Sequence, residues 1–243
     1  MASAEAPENP HASFAMACIL SLPRTAYYFP SFINPALESR LLEKILSAPK
    51  PRWTTLSRRR LQTYPSRLTG TNTLIAEPLP TWLLDPIVAR MQGVGIWAES
   101  PHRGPNHCLV NVYEPGQGIM PHEDGAAYWP LVATVSLGAP IVLDIFEKDA
   151  GGGRGKLVGR ILQEPGSLLV TTDDLYKEHL HGIAEVTSDE DLGSPTIANW
   201  NLLGSPQDFE TGRYDRQTRA SLTYRDVLKV SNIGNSLKLF GKR

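Results

Sequence analysis

The residues of this chain best suited to chemistry form an ordered set. They are a histidine and an aspartate separated by one residue and, further along the chain, another histidine and two arginines. His122 and Asp124 are neighbours but one, and His181 lies in a later strand-like run. Two histidines and one carboxylate form the facial triad that holds ferrous iron and leaves coordination positions open. Arg219 and Arg225 supply the donors that a dicarboxylate such as 2-oxoglutarate requires. The ordered set predicts a site for iron, 2-oxoglutarate and dioxygen.

A second histidine competes for the third ligand position. His179 precedes His181 by two positions, and residues two apart on a strand share one face. The spacing alone therefore leaves both histidines open as ligands.

The elements that must position these side chains are short strands. From residue 107 onward, apolar and β-branched runs alternate with Gly and Pro turn signals. Helical patterns come earlier: Asn34 and Pro35 begin one helix, and a second is predicted at about residues 80–91. Helices followed by many short strands indicate an α+β fold with a jelly-roll core, the double-stranded β-helix. The predicted strands cover residues 108–114, 132–137, 141–146, 157–162, 167–171, 178–183 and 219–227.

Strand alternation places the polar candidates on common faces. Asn111 and Tyr113 point the same way, and Arg219, Ser221 and Arg225 share the face of their own strand. Two arginines inside a barrel are costly to desolvate unless an anion meets them. This arrangement therefore predicts a bound carboxylate.

The net charge of −1 excludes a global electrostatic field of the kind that marks many nucleic-acid binders. One window is nevertheless strongly basic, because no acidic residue lies between Glu43 and Glu77. Phosphate-pairing charge beside an aromatic ring is typical of nucleic-acid contacts, so we expect residues 50–67 to bind nucleic acid, with Arg58, Arg59, Arg60 and Tyr64 as contacts. A solvated basic hairpin is the alternative. The basic residues between Glu43 and Glu77 are Lys44, Lys50, Arg52, Arg58, Arg59, Arg60 and Arg67.

Only two cysteines occur among the 243 residues, which excludes a disulfide scaffold and favours a reducing compartment. The apolar segment at residues 14–22 is too short to span a bilayer, and acidic residues rather than basic ones precede it. We therefore expect a protein of the cytoplasm, the nucleus or both, with neither a membrane partner nor a disulfide-linked one.

Five stretches of the sequence resemble the AlkB family of iron- and 2-oxoglutarate-dependent dioxygenases, in particular the sixth-homologue branch of eukaryotes. The resemblance extends over about residues 25–230 and is strongest from 106 to 183. It implies that His122, Asp124 and His181 bind iron, and the LHGI stretch selects His181 over His179. The matching stretches are NHCLVNVYE at 106–114, GIMPHEDGAAY at 118–128, TVSLGAPIVLDIF at 134–146, LHGI at 180–183 and RASLTYRDV at 219–227.

The same resemblance implies a co-substrate site and a reaction. Arg219 would pair with the distal carboxylate of 2-oxoglutarate, Asn111 and Tyr113 would donate hydrogen bonds to it, and Arg225 would support its iron-bound end. Ser221 stands where the bacterial prototype has Asn. Oxidative decarboxylation of 2-oxoglutarate would be coupled to hydroxylation of a C–H bond, and a hydroxylated N-methyl group would leave as formaldehyde.

Composition along the chain predicts its organisation, and the resemblance adds the role of a lid for the region before the barrel. We expect a flexible N-terminus at residues 1–20, one dioxygenase domain at 21–230 and a tail at 231–243. Within the domain, residues 21–105 would form a helical and basic substrate lid, and residues 106–230 the jelly roll, with a long surface loop at 187–212. Tyr128 follows the iron motif and is a candidate for the mouth of the site, with a packing role as the alternative.

Three functions fit these expectations. The first is oxidative demethylation of N-methylated RNA or DNA. The second is oxygenation of protein side chains or of a small molecule. The third is a non-catalytic, nucleic-acid-binding relative that keeps the fold but has lost turnover.

Overall fold

The computed structural model of the chain describes residues 14–23 and 25–232, and its main feature is a pair of antiparallel sheets. Most of the predicted flexible N-terminus and of the C-terminal tail lies outside the described residues. No described helix is both long and apolar enough to cross a membrane. Cys18 and Cys108 are free thiols, as the cysteine count predicts.

The described part of the chain contains fifteen strands, four α-helices and three 3₁₀-helices, the last at Lys50–Arg52, Trp200–Leu202 and Pro206–Phe209. The helices are α1 (Pro35–Leu46), α2 (Thr81–Leu84), α3 (Ile87–Gly93) and α4 (Asp173–Lys177). The strands are β1 (Ala26–Phe29), β2 (Thr54–Leu56), β3 (Arg59–Tyr64), β4 (Leu74–Ile75), β5 (His107–Tyr113), β6 (Ile119–His122), β7 (Leu131–Leu137), β8 (Ile141–Lys148), β9 (Arg154–Gln163), β10 (Leu168–Thr172), β11 (His179–Ile183), β12 (Ser188–Asp189), β13 (Tyr214–Asp215), β14 (Arg219–Arg225) and β15 (Val230–Ser231).

The strands form one large and one small antiparallel sheet, with two minor pairs. The large sheet has the order β1-β10-β7-β14-β5-β3-β2, and the small sheet has the order β6-β11-β8-β9. In the small sheet β11 lies between β6 and β8, so that strands from distant parts of the chain are neighbours, as in a jelly roll. The α+β fold with a jelly-roll core that the sequence predicts is therefore confirmed.

The N-terminal helix α1 forms where the sequence predicts it and covers the outer face of the large sheet. Asn34 accepts a hydrogen bond from the Leu37 amide at 2.9 Å, which caps the helix. Leu37, Leu41 and Ile45 recur every four residues and are buried, because that spacing places them on one helix face. They belong to a core cluster that also contains Val110 and other outer-face residues of the sheet.

The two faces of the large sheet have different roles. Cys108, Val110 and Val112 of β5 pack beneath the helices, while the alternating residues Asn111 and Tyr113 line a cavity between the sheets. Strand β14 divides in the same way, with Arg219, Ser221, Thr223 and Arg225 on the cavity side. Strand alternation therefore sends the polar residues of both strands into one interior space.

The predicted helix at residues 80–91 is interrupted. It forms α2 and α3, and Asp85 between them has extended backbone angles. The residue before a proline is pushed away from the helical region, so Pro86 separates the two segments.

The predicted surface loop at residues 187–212 packs against the small sheet instead. Strand β12 pairs with β13, and the buried Arg216 and Asp189 form an ion pair at 2.6 Å. Asn199 bonds both the amide and the carbonyl of Leu162, at 2.9 and 2.8 Å. The segment is anchored by apolar residues that follow no regular period, namely Leu192, Ile197, Leu203 and Phe209.

Candidate metal and co-substrate site

Three potential metal ligands converge where the small sheet meets the cavity. His122 ends β6, Asp124 follows two residues later, and His181 lies opposite His122 on the neighbouring strand β11. One ligand atom from each residue lies within 4.8 Å of the other two. The two imidazole rings are 4.5 Å apart, centre to centre. Two imidazoles and one carboxylate on one side of a common point fit a facial triad for ferrous iron.

Backbone contacts orient His122 for this role. Its Nδ1 lies 2.9 Å from the carbonyl oxygen of Met120, so that Nδ1–H donates there and the lone pair of Nε2 faces the cluster. Burial lowers the pKa of His181 to about 4, and His122 and Arg225 act in the same direction against Asp124. At neutral pH His181 is therefore uncharged, which is the state that binds a metal.

The carboxylate of Asp124 is shared between a guanidinium and the histidines. Its Oδ1 accepts a short hydrogen bond from Nη2 of Arg225, and its Oδ2 lies 3.7 Å from Nε2 of His181. Burial alone would raise the pKa of Asp124, but the charge of Arg225 and both histidines lower it below its ordinary value. The group is thus an anion with one oxygen directed to the ligand cluster.

The structure separates the two histidines that the spacing leaves open. His179 directs Nδ1 to the carbonyl oxygen of Asp174 in α4, at 3.0 Å. It is not part of the cluster with His122 and Asp124, whereas His181 is.

A buried, positively charged pocket lies behind the metal ligands. The cavity and its open mouth together hold about 780 Å³ of space free of protein atoms. Arg219 is 2% exposed and donates to Ser136 Oγ at 2.8 Å and to Gln163 Oε1 at 3.3 Å. Burial lowers its pKa to about 10, so the guanidinium stays charged.

The charge of Arg219 is unbalanced by the protein. Among residues 14–23 and 25–232, no carboxylate pairs with it, and its Nε has no hydrogen-bond partner. An uncompensated buried cation is strongly destabilising, and a bound dicarboxylate would supply the missing partner. The residues present therefore fit 2-oxoglutarate.

The remaining predicted co-substrate residues line the same cavity. Asn111, Tyr113 and Ser221 are all buried there, and Ser221 pairs with Asn111 in the strand register. Burial raises the pKa of Tyr113 in spite of the nearby arginines, so its hydroxyl remains a donor at neutral pH. Ser221 has a hydroxyl in place of the amide of the bacterial prototype, and this hydroxyl can both donate and accept.

The three consecutive arginines of the basic window do not form one surface. Arg59 lines the cavity, whereas Arg60 stacks on Trp53, with Cζ 4.4 Å from the ring centre. Arg58, at the turn before β3, forms an ion pair with Glu185 at 3.0 Å. Successive strand residues point to opposite faces, so the run supplies three different environments.

Of the two aromatic residues predicted to contact the substrate, Tyr64 is buried and Tyr128 is half-buried. Tyr64 is 6% exposed, donates to Gln62 Oε1 at 2.7 Å and packs edge-on against Trp82. Its prediction as a stacking platform is therefore wrong, because its place on β3 directs it towards the helices. Tyr128 is half-buried and lies beneath the guanidinium of Arg225, 5.0 Å from ring centre to Cζ.

Sequence reasoning missed two polar residues that hold Arg219. Ser136 of β7 and Gln163 at the end of β9 accept its hydrogen bonds. The register pairs Ser136 with Ser221, so strand parity could have found the serine. Nothing in the sequence brings Gln163 next to Arg219, because their strands belong to different sheets.

Comparison with known proteins identifies relatives over most of the chain. The sequence profile described as the 2OG-Fe(II) oxygenase superfamily matches residues 25–225. A protein of Danio rerio named "Probable RNA/DNA demethylase ALKBH6" is 41% identical over 215 residues, which are 86% of this chain and 88% of the relative.

Solved structures are similar in fold. The structure of OsALKBH1 has a TM-score of 0.52 at 13% identity and covers 83% of this chain and 96% of that one. A 2OG-Fe(II) oxygenase family oxidoreductase from Burkholderia pseudomallei has a TM-score of 0.51 at 12% identity, with coverage of 85% and 89%. Both share the architecture of two opposed sheets.

Proposed function

We propose that this chain, which belongs to the 2OG-Fe(II) oxygenase superfamily and within it to the AlkB family, removes N-methyl groups from RNA or DNA by oxidation. It is an Fe(II)- and 2-oxoglutarate-dependent dioxygenase. The observation that carries the proposal is the convergence of His122, Asp124 and His181 beside a cavity with an unpaired buried guanidinium.

In this proposal the chain's residues divide the work between metal and co-substrate. His122, Asp124 and His181 hold the iron, and Arg219 pairs with the distal carboxylate of 2-oxoglutarate. Asn111, Tyr113 and Ser221 donate hydrogen bonds to the co-substrate from the cavity wall. Iron supplies the oxidising chemistry when it is bound, and the apolar remainder of the wall keeps water out.

The overall reaction balances for an N-methyl group. An N-methylated base, dioxygen and 2-oxoglutarate give the demethylated base, formaldehyde, succinate and carbon dioxide. One oxygen atom enters succinate and the other leaves in formaldehyde. The protein contributes position, because a C–H bond must lie close to the metal for this outcome.

The nucleic-acid substrate rests on two observations. The relative from Danio rerio carries the name of a probable RNA/DNA demethylase. Arg58 is exposed and directly precedes Arg59, which lines the cavity. An arginine at this position can pair with a phosphate of a strand whose base enters the cavity. Such a protein would act in the nucleus, the cytoplasm or both.

The test uses synthetic RNA and DNA oligonucleotides with N-methylated adenine or cytosine, and unmethylated oligonucleotides of the same sequence. We expect formaldehyde and succinate in equal amounts from a methylated oligonucleotide, and no formaldehyde from its unmethylated partner. The His122→Ala protein is the inactive control. Mass spectrometry of the oligonucleotide must show the loss of one methylene group.

Two results would contradict the proposal. Succinate without formaldehyde from any methylated oligonucleotide, together with one added oxygen on a protein, would identify a protein oxygenase. Failure of the iron-loaded protein to turn over 2-oxoglutarate under any condition would identify a binding relative without catalysis.

A further inference from the structure

Arg59 differs from the two arginines beside it because its side chain enters the interior of the barrel. It is the first residue of β3, it is half-buried, and it lines the cavity with Asn111 and Arg219. Its Nε donates a hydrogen bond to Oδ1 of Asn111 at 3.2 Å. Arg60 faces the other side of the strand, where it stacks on Trp53.

This contact fixes which end of the Asn111 amide faces the cavity. A guanidinium carries five N–H donors and no acceptor, so it can bond only the oxygen of the amide. With Oδ1 turned to Arg59, the NH₂ group of Asn111 must point away from it. Within the described chain, the Asn111 side chain makes only the hydrogen bond with Arg59, and its NH₂ group is therefore available to a ligand anion.

We propose that Arg59 is a positioning residue for the co-substrate: it holds the Asn111 amide with its donors directed at 2-oxoglutarate. The proposal rests on the proposed function, because it assumes that the cavity binds 2-oxoglutarate. It assigns Arg59 to the co-substrate, whereas the sequence predicts a contact with the nucleic-acid substrate.

The register of the large sheet supports this role. β3 lies beside β5, and Leu61 pairs with Asn111, so that Arg59 and Asn111 project from adjacent strands into one space. A free asparagine amide can turn by half a rotation and present its oxygen, which would repel a carboxylate. A donor that locks the amide removes this unfavourable alternative before the ligand arrives.

The test measures binding of 2-oxoglutarate without turnover. Isothermal titration of the Mn(II)-loaded protein in the absence of oxygen gives the Kd for the wild type, Arg59→Met, Asn111→Ala and the double variant. We expect Arg59→Met to raise the Kd about tenfold, as for the loss of a hydrogen bond that serves a charged ligand. In uncoupled turnover the KM for 2-oxoglutarate rises with little change in kcat.

The double-mutant cycle decides whether Arg59 acts through Asn111. If it does, Arg59→Met changes the Kd less than about twofold once Asn111 is alanine, because no amide is left to orient. Arg154→Met is the matched control: Arg154 is exposed and stacks on Phe146 outside the cavity, 4.5 Å from Cζ to ring centre. We expect it to leave the Kd unchanged.

Several results would overturn the proposal. An unchanged Kd for Arg59→Met would remove the role, and a tenfold effect that persists in the Asn111→Ala background would show that Arg59 acts on the anion directly. If Arg59→Met lowers the Tm of the metal-free protein, Arg59→Leu replaces it in the same cycle, because leucine also has no donor for Oδ1 of Asn111. Failure of the wild type to bind 2-oxoglutarate would instead contradict the proposed function itself.

Discussion

Asp124 directs its two carboxylate oxygens to different partners, Arg225 and His181. The guanidinium of Arg225 bonds Oδ1, while Oδ2 faces Nε2 of His181 at 3.7 Å. The arginine keeps the acid ionised and restricts its rotation, so that one oxygen remains directed to the ligand cluster. Arg225 thus organises the predicted metal site without being a ligand.

Replacement of His181 is expected to abolish metal binding, whereas replacement of His179 is not. His181→Ala removes one of the three convergent ligand atoms, and we expect the Kd for Mn(II) to rise at least about a hundredfold. His179 bonds the backbone of α4 instead, so His179→Ala should bind one metal ion as the wild type does. Calorimetric titration of both variants measures this, and equal losses would assign His179 to the site.

Arg219→Met is expected to stabilise the unliganded protein and to eliminate its binding of the co-substrate. The buried guanidinium lacks an anionic partner in the unliganded protein, so its replacement by an apolar chain should raise the Tm of that protein. The same change should eliminate the rise in Tm that 2-oxoglutarate causes in the wild type. Thermal denaturation with and without 2-oxoglutarate measures both effects, and a retained ligand-dependent shift would argue against Arg219 as the carboxylate partner.

The metal-free protein is expected to lose stability in mild acid, partly through His107. Burial and the nearby Arg225 lower the pKa of His107 from 6.5 to about 4. The unfolded chain therefore binds a proton at a higher pH than the folded chain does. This stabilisation is complete above about pH 6.5 and is lost as the pH falls towards about 4.

The variant His107→Phe tests this effect because phenylalanine cannot titrate. Between neutral pH and about pH 5 we expect its free energy of unfolding to fall less than that of the wild type, by on the order of 1–2 kcal/mol. Urea denaturation at the two pH values gives the comparison. Identical pH dependence in both proteins would show that His107 does not contribute.

Arg58→Ala is expected to weaken binding of nucleic acid in a salt-dependent way. Arg58 is exposed, and its ion pair with Glu185 is a surface contact of small stability, so a phosphate can compete for it. For a single strand, the slope of log K against log salt concentration should decrease by about 0.7. Fluorescence anisotropy over a salt series measures the slope, with Arg154→Ala as the control for the loss of one positive charge. An unchanged slope would exclude Arg58 from the interface.

The sequence predicts the structure correctly where the pattern lies within one strand or one helix. Asn34 before an apolar stripe predicts α1 and its cap, and strand alternation places Asn111, Tyr113, Arg219 and Arg225 on cavity-facing sides. These patterns are local, so no tertiary contact has to be known. Strand alternation also predicts that Arg59 and Arg60 point to opposite faces, although their like charge suggests a common surface.

The sequence does not predict contacts between segments that are distant along the chain. The segment at 187–212 has the polar composition of a loop, but its scattered apolar residues pack against the small sheet. The sequence pattern does not predict this contact. Gln163 meets Arg219 only because β9 and β14 belong to opposed sheets. Tyr64 was predicted as a contact from its neighbours in sequence, although its strand directs it to the helices.

The pairing of His122 with His181 across adjacent strands has a consequence for engineering. Backbone hydrogen bonds of β6, β11 and β8 hold the two imidazoles in place, and the turn between β8 and β9 begins directly after Lys148, which bonds Glu123 between the ligands His122 and Asp124. Residues 151–153 are exposed glycines, so a fluorophore tethered there would sit on a turn that is joined to the ligand segment through Lys148. A label at this turn is therefore expected to report on occupancy of the metal site.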